Sequence, residues 1–102
     1  MIRKAFVMRL LDQEEYKKRH DEIWPEMLAM LHAHGVHNYS IHLQPDTGFL
    51  FAYAEIESEE RWAAIPETAE CRRWWSHMAD VMEYNPDGTP WSQPLREMFH
   101  MA

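Results

Sequence analysis

The chain has 102 residues, which is enough for one hydrophobic core, and we expect a single domain over residues 1–102. Its net charge is −7, from 10 basic and 17 acidic residues; such a surface repels phosphates and anionic lipid, so neither nucleic acid nor a membrane is an expected partner. With one cysteine, Cys71, no intrachain disulfide can form, and no stretch approaches the ~18 apolar residues of a membrane span, so a cytoplasmic protein is expected.

The first predicted elements are a strand and a helix. Apolar residues occupy both alternating sets over residues 2–11, as in a strand that is covered on both faces. Asp12 then suits a helix N-cap, and acidic residues follow it at the positive end of the helix dipole. The apolar spacing continues to Leu31 and Gly35 ends the helix, but the ring of Pro25 removes a hydrogen bond and predicts a kink or break just before it.

A β-hairpin is predicted next. Its strands cover residues 36–43 and 49–56, and they are joined by the turn Pro45-Asp46-Thr47-Gly48. Alternation along the first of these strands predicts two faces, one with His37, Tyr39, Ile41 and Leu43 and the other with Asn38, Ser40 and His42.

The second half of the chain predicts two helices and a final strand. Ser58 caps a short helix that Pro66 interrupts, and a longer helical stretch covers about residues 68–82. Proline and glycine make residues 85–90 an irregular loop. Weak alternation then predicts a last strand over residues 95–101.

The order β-α-β-β-α-β predicts an α+β fold of the ferredoxin-like kind. Two right-handed crossovers around one hairpin give a four-stranded antiparallel sheet with both helices on one face. Large apolar residues nevertheless occur on strand positions that face both sides of that sheet, namely Phe6, Met8, Tyr39, Phe49, Phe51 and Tyr53. An identical subunit is the simplest cover for the second face, so we predict a homodimer.

Tyr16 and His20 form the first candidate for chemistry. They lie four residues apart on the first predicted helix, so their side chains share one face. A phenol can orient a ligand there, and an imidazole can move protons near neutral pH. The spacing alone more often indicates a partly exposed tyrosine beside a surface histidine.

The adjacent pair Trp74-Trp75 is a second candidate. Neighbours on a helix point about 100° apart, so one indole is expected to anchor the helix and the other to line a rim or pocket. With Trp62 and Trp91 they add flat aromatic surface that can pack against the C–H faces of sugars. The competing interpretation is core filling and dimer contact.

A metal site and a reactive thiol are not expected. His32, His34 and His37 have poor ligand spacing, because residues 32 and 34 point to nearly opposite sides of a helix, and one cysteine is too few for a thiolate site. Cys71 lies in the middle of a predicted helix, where a buried, inert thiol is the usual outcome.

Several segments spread over nearly the whole chain match one family pattern. They are Ile2-Arg3-Lys4-Ala5-Phe6-Val7-Met8, Tyr16-x-x-Arg19-His20-x-x-Ile23-Trp24-Pro25-Glu26, His34-Gly35-x-His37-Asn38-Tyr39, Glu55-Ile56-Glu57-Ser58-Glu59-Glu60-Arg61-Trp62, Cys71-x-Arg73-Trp74-Trp75, Asp80-Val81-Met82 and Asn85-Pro86-Asp87. As a set they resemble the L-rhamnose mutarotase family. The resemblance implies a dimeric ferredoxin-like α/β barrel that interconverts the anomers of L-rhamnose in the cytoplasm without a cofactor.

The resemblance also implies roles for five residues. By position His20 matches the family's acid/base histidine, and Tyr16, Tyr39, Trp74 and Trp75 match its sugar-binding residues. Departures from the family pattern fall in the last loop and at the C-terminal end, outside these positions. The group that handles the second proton is open, since either a water or a nearby carboxylate would serve.

Two other functions remain compatible with the same fold. One is a small dimeric ligand-binding or regulatory module, and the other is a cofactor-free monooxygenase or lactone isomerase, because a fold does not determine a function. The Tyr16–His20 pair beside two tryptophans favours a polar substrate that undergoes proton transfer over an apolar aromatic one.

Overall fold

A computed structural model describes residues 1–102, which form four strands, four α-helices and one 3₁₀ turn. In chain order these are β1 (Ile2–Arg9), α1 (Gln13–Asp21), α2 (Pro25–Ala33), β2 (Val36–Gln44), β3 (Phe49–Ile56), α3 (Glu59–Ala64), the 3₁₀ turn (Ile65–Glu67), α4 (Ala69–Met78) and β4 (Ser92–Leu95). None of the helices has the length and apolar character needed to span a membrane.

The four strands form one antiparallel sheet in the order β2-β3-β1-β4. This order places the first and third strands at the centre, as the ferredoxin-like prediction requires. Every second residue of β3 is buried against the helices: Leu50, Ala52, Ala54 and Ile56. The core therefore lies between one face of the sheet and the helices.

The other face of the sheet, which we call the open face, has no element packed over it. Pairing of β1 with β3 and β4 places Ala5, Val7, Phe49, Phe51, Tyr53 and Leu95 there. Phe51 is 40% exposed and Leu95 is 43% exposed. The prediction that apolar side chains occupy both faces is confirmed, with Phe6 and Met8 on the helix side.

The face pattern of β2 is interrupted by a β-bulge. Two pairs of opposed residues bracket it, His37 with Glu55 and Ser40 with Tyr53. Three steps along β2 therefore match two along β3, and Asn38 in the bulge has a φ of 48°. The prediction that His37 and Tyr39 share a face is wrong, because the extra residue reverses the alternation between them.

The predicted break of the first helix is confirmed. Helix α1 ends at Asp21, and α2 begins at Pro25. Proline suits the first position of a helix, because an N–H group there would have no partner within the helix. The Asp12 side chain accepts a hydrogen bond from the Glu15 N–H at 3.1 Å, as the N-cap prediction requires. Gly35 follows α2 with a φ of 76°, which ends the helix.

The prediction of a last strand over residues 95–101 is wrong, and the predicted 68–82 helix ends earlier, at Met78. The loop before β4 closes on itself, because the Trp91 N–H donates to the Glu83 carbonyl at 2.9 Å. The chain therefore already lies beside β1 at Ser92. Beyond Leu95 the apolar side chains are almost fully exposed, so no burial supports strand pairing there.

Candidate active site

A cavity of about 880 Å³ lies between the helix side of the sheet and the helices. Its lining includes all five residues singled out as catalytic or sugar-binding: Tyr16, His20, Tyr39, Trp74 and Trp75. Helix α1 carries the first two, β2 carries Tyr39 and α4 carries the tryptophan pair. Residues that are distant in sequence thus meet around one space, of a size typical of small-molecule sites.

Tyr16 and His20 stack on one face of α1. Their ring centroids are 4.3 Å apart with an interplanar angle of 28°. His20 Nδ1 lies 3.0 Å from the backbone carbonyl oxygen of Tyr16. Because a carbonyl can only accept, Nδ1 carries a proton, and Nε2 of the neutral ring therefore holds a lone pair.

The surroundings of His20 favour its neutral form. Burial lowers the pKa of His20 below its usual value of 6.5, while the hydrogen bond to Tyr16 and the charge of Asp21 partly offset this. The imidazole is therefore mainly neutral at pH 7, with Nε2 able to accept a proton.

The two tyrosines are held as hydrogen-bond donors. Tyr16 is 8% exposed, and burial raises its pKa far above the usual range of a phenol. Burial of its hydroxyl raises the pKa of Tyr39 as strongly, although 38% of the residue as a whole is exposed. The Tyr39 ring packs beside Phe6 and Trp62, at centroid distances of 6.4 Å to each. Both phenols stay protonated at any physiological pH.

The adjacent tryptophans both line the cavity but differ in burial. Trp74 is 6% exposed and meets His20 edge-on at 5.4 Å and Trp24 edge-on at 5.1 Å. Trp75 is half-buried, and its backbone carbonyl accepts a 2.6 Å hydrogen bond from the Tyr84 hydroxyl. One indole thus anchors α4 in the core beside the imidazole, while the other forms part of the cavity's more exposed wall.

Polar atoms of the site have no partner within the chain. Four polar groups of the cavity make no side-chain hydrogen bond and are accessible to solvent: the Tyr16 hydroxyl, His20 Nε2 and the indole N–H groups of Trp74 and Trp75. A cavity with aromatic walls and open donors and acceptors suits a small molecule rich in hydroxyl groups.

Some lining residues were not foreseen from the sequence. Lys4 lies on the helix side of β1, and its ammonium pairs with Glu59 at 2.8 Å. A charged residue in the inward-facing set of β1 was the signal that could have identified it. Asn85 and Thr89 also line the cavity, but only the conformation of their loop brings them there. Trp62, noted only as extra aromatic surface, belongs to the lining as well.

The histidines around the end of α2 do not join the site. His34 Nδ1 lies 2.8 Å from the Met30 carbonyl oxygen, and His37 Nε2 lies 2.6 Å from Glu57. No three His, Cys, Asp or Glu residues are grouped so as to hold a metal ion. Cys71 is 2% exposed and burial raises the pKa of its thiol to about 11, so it is unreactive at neutral pH.

Comparison with known proteins gives one consistent family. A family model described as L-rhamnose mutarotase matches residues 3–101. The chain is 59% identical to an L-rhamnose mutarotase of Opitutus terrae over 99% of both chains. It is 54% identical to one of Tolumonas auensis over 100% of both, and 56% identical to one of Yersinia pestis over 99% of both.

Two solved structures resemble this one to different degrees. A crystal structure of an L-rhamnose mutarotase from Formosa agariphila matches with a TM-score of 0.91 and 38% identity over 100% of both chains. A putative antibiotic biosynthesis monooxygenase from Nitrosomonas europaea matches with a TM-score of 0.63 over 97% of this chain and 100% of that one. At 16% identity that second likeness shows the fold alone. Since the family model and relatives more than half identical span the whole length, the chain belongs to the L-rhamnose mutarotase family.

Proposed function

We propose that this chain is an isomerase that interconverts the α and β anomers of L-rhamnose by acid/base-catalysed opening and closing of the sugar ring. Family membership supports the substrate and the reaction. The observation that carries the chemistry is the His20 imidazole. Its Nδ1 is tied to a backbone carbonyl at 3.0 Å, and its Nε2 is left free in an aromatic cavity.

His20 acts first as a base and then as an acid. Nε2 takes the proton of the anomeric hydroxyl while the bond between C1 and the ring oxygen breaks, and the ring oxygen gains a proton. The resulting aldehyde rotates about the C1–C2 bond. The C5 hydroxyl then adds to its other face, losing a proton as the imidazolium returns one to O1. One C–O bond breaks and re-forms, protons are exchanged, and nothing is oxidised or reduced overall, so the reaction needs no cofactor.

Solvent water is the partner that exchanges the proton of the ring oxygen. Asp21 is the carboxylate in the cavity lining, but the Lys17 ammonium already holds its two oxygens at 2.6 and 2.7 Å. The Asp21 side chain is also 59% exposed, which weakens its action on a bound sugar. We assign this carboxylate an electrostatic influence on His20 and no direct proton transfer.

The remaining site residues bind and orient the sugar. The Tyr16 and Tyr39 hydroxyls, which stay protonated, donate hydrogen bonds to sugar oxygens. Trp74 and Trp75 provide an apolar wall with indole N–H groups in it. Such a wall accepts the methyl group of a 6-deoxy sugar, which cannot make a hydrogen bond.

The test is saturation-transfer NMR on equilibrated L-rhamnose, in which one anomeric proton is irradiated and the other is observed. We expect enzyme-dependent transfer that falls by about 10²- to 10⁴-fold in His20→Ala, the usual contribution of positioned proton transfer. His32→Ala is the matched control, because that histidine is exposed and lies outside the cavity lining. A folded His20→Ala protein with the full rate would refute the assignment. If neither L-rhamnose nor other 6-deoxy sugars show transfer, a ligand-binding module becomes the better description.

We also propose that two copies associate through the open face. Phe51 is 40% exposed at its centre and Leu95 is 43% exposed at its β4 side. Flanking strand residues Val7 and Tyr53 are half-buried without any covering element. A second copy placed on a twofold axis covers both faces at once with self-complementary surfaces.

We place the enzyme in the cytoplasm as part of the same proposal. Its one cysteine, Cys71, is a buried free thiol. Reducing compartments keep thiols in this form, whereas small secreted domains usually depend on disulfides. Cell fractionation of the full chain tests the placement, with recovery outside the cytoplasmic fraction as the contrary result.

A further inference from the structure

Asn38 has an unusual backbone conformation next to a proposed sugar-binding residue. Its φ of 48° makes it the one non-glycine residue of the chain with a positive φ. The left-handed region is sterically unfavourable for most L-residues, and asparagine is among the few that tolerate it. The residue forms the β-bulge in β2, immediately before Tyr39.

The bulge decides which side of the sheet Tyr39 faces. Val36 is 3% exposed and faces the core, so strict alternation would place Tyr39 on the open face. The extra residue reverses the alternation and brings Tyr39 to the helix side, where it lines the cavity between Phe6 and Trp62. Bulges commonly re-aim a side chain in this way beside an active site.

A side-chain network on the open face holds the bulge. Asn38 Nδ2 donates to Glu55 Oε1 at 2.6 Å, and the Tyr53 hydroxyl donates to the other oxygen of Glu55 at 2.8 Å. These two hydrogen bonds lower the pKa of Glu55, so it remains an ionised acceptor at neutral pH. None of the three residues lines the cavity, so the network does not touch the sugar.

We infer that Asn38 is a positioning residue for the sugar site: by adopting a left-handed conformation in the β2 bulge, it turns the Tyr39 hydroxyl toward the substrate. The inference rests on the proposed role of Tyr39 in sugar binding. It requires that substitutions at Asn38 act on the substrate only through Tyr39.

The test compares one substitution that keeps the bulge with one that opposes it. Asn38→Gly accepts a positive φ without steric cost, so we expect kcat/KM within about threefold of wild type, despite the lost hydrogen bond. Asn38→Val places a β-branched residue where φ is 48° and favours a regular strand. We expect its kcat/KM for L-rhamnose to fall about tenfold, mainly through KM, because Tyr39 leaves the site.

A double-mutant cycle with Tyr39→Phe separates positioning from a merely structural effect. Tyr39→Phe alone removes the hydroxyl and is expected to raise KM about three- to tenfold. In the Asn38→Val background the same change should alter KM by less than about twofold, since the hydroxyl is already absent from the site. Additive effects of the two substitutions would overturn the inference, as would an Asn38→Gly protein impaired as much as Asn38→Val.

Nuclear Overhauser contacts between the Tyr39 and Phe6 rings give a readout independent of activity. They should persist in Asn38→Gly and disappear in Asn38→Val; persistence in both would overturn the inference.

If Asn38→Val does not fold, Asn38→Ala replaces it in the same cycle, because its Cβ meets the same left-handed restriction. A normal KM in Tyr39→Phe would instead refute the proposed role of Tyr39. Loss of the ring contacts in Asn38→Val would still show the bulge's structural effect.

Discussion

At the scale of single residues, the reactivity of His20 depends on two neighbours. The stacked ring of Tyr16 at 4.3 Å shields one face of the imidazole, and the Tyr16 carbonyl fixes which nitrogen is protonated. Burial lowers its pKa, whereas the charge of Asp21 raises it. The base form is therefore the resting form at neutral pH, which suits removal of a hydroxyl proton.

This environment predicts the pH dependence of the reaction. The proposed reaction uses His20 as a free base, so kcat/KM should be constant above the pKa of His20 and should fall as the pH decreases through it, below 6.5. Asp21→Asn removes a charge that raises this pKa, so the acidic limb should move to lower pH. The measurement is kcat/KM for L-rhamnose between pH 5 and pH 8, in buffers of constant ionic strength.

Glu22→Gln is the matched control, because it makes the same charge change one residue further along the chain. Glu22 does not contribute to the pKa shift of His20. Its acidic limb should coincide with that of wild type. An acidic limb centred above pH 7 in the wild-type protein would contradict the base role in a buried imidazole.

At the scale of elements, the site depends on how α1 lies against α4. Arg19 joins them: its Nη1 donates to the His77 carbonyl and to Asp80 Oδ1, both at 2.7 Å, and its Nη2 donates to Asp80 Oδ2 at 3.3 Å. The Arg19 side chain is only 18% exposed. Because Arg19 directly precedes His20, this contact ties the helical turn that carries the imidazole to the end of α4, the helix that carries the two tryptophans.

We therefore predict that Arg19→Lys lowers kcat/KM about tenfold, because an ammonium cannot span a carboxylate and a carbonyl as the planar guanidinium does. The melting temperature should fall by no more than a few degrees. Anomer exchange by NMR and thermal unfolding measure the two quantities.

Arg3→Lys is the control, since Arg3 makes a comparable two-point contact with Glu97, at 2.6 and 3.0 Å, outside the cavity lining. It should leave kcat/KM unchanged. Equal losses of activity in the two variants would show that the Arg19 contact has no special effect on the site.

Element by element, the sequence was informative where local chemistry decides. Asp12 and Pro25 marked a helix start and a helix break that the structure contains. The end of the chain was predicted wrongly, because pairing of β4 with β1 depends on the loop that closes between Glu83 and Trp91. Loop closure is a tertiary event, and alternation in a seven-residue tail carries no information about it.

At the scale of the whole molecule, the sheet has one occupied face and one open face. The open face exposes Phe51 and Leu95, and the tail beyond β4 carries further exposed apolar side chains, Met98 at 80%, Phe99 at 82% and Met101 at 79%. A monomer would leave this surface in water, and contiguous exposed apolar patches usually mark an interface.

We predict that the wild-type chain sediments at twice its monomer mass at micromolar concentration, and that Phe51→Glu shifts it to the monomer mass. A charge at the centre of the open face would be buried without a partner in the dimer. Leu11→Glu is the control, because Leu11 is 64% exposed and lies outside that face. A wild-type chain that stays monomeric would remove the dimer from the proposal.

The sequence by itself determined the order of the elements and most of the candidate site. Helical spacing was enough to place Tyr16 and His20 on one face, and adjacency on a predicted helix singled out Trp74 and Trp75, whereas the role of Tyr39 came from the family resemblance. The ferredoxin-like topology followed from element order, since handedness rules leave few alternatives.

Only the tertiary structure decided how these residues meet. Alternation alone grouped Tyr39 correctly with Ile41 but wrongly with His37, because a bulge depends on a register between two strands and not on either strand alone. The lowered pKa of His20 is likewise absent from the sequence. It arises because packing removes water from the imidazole, and burial is a property of the assembled fold.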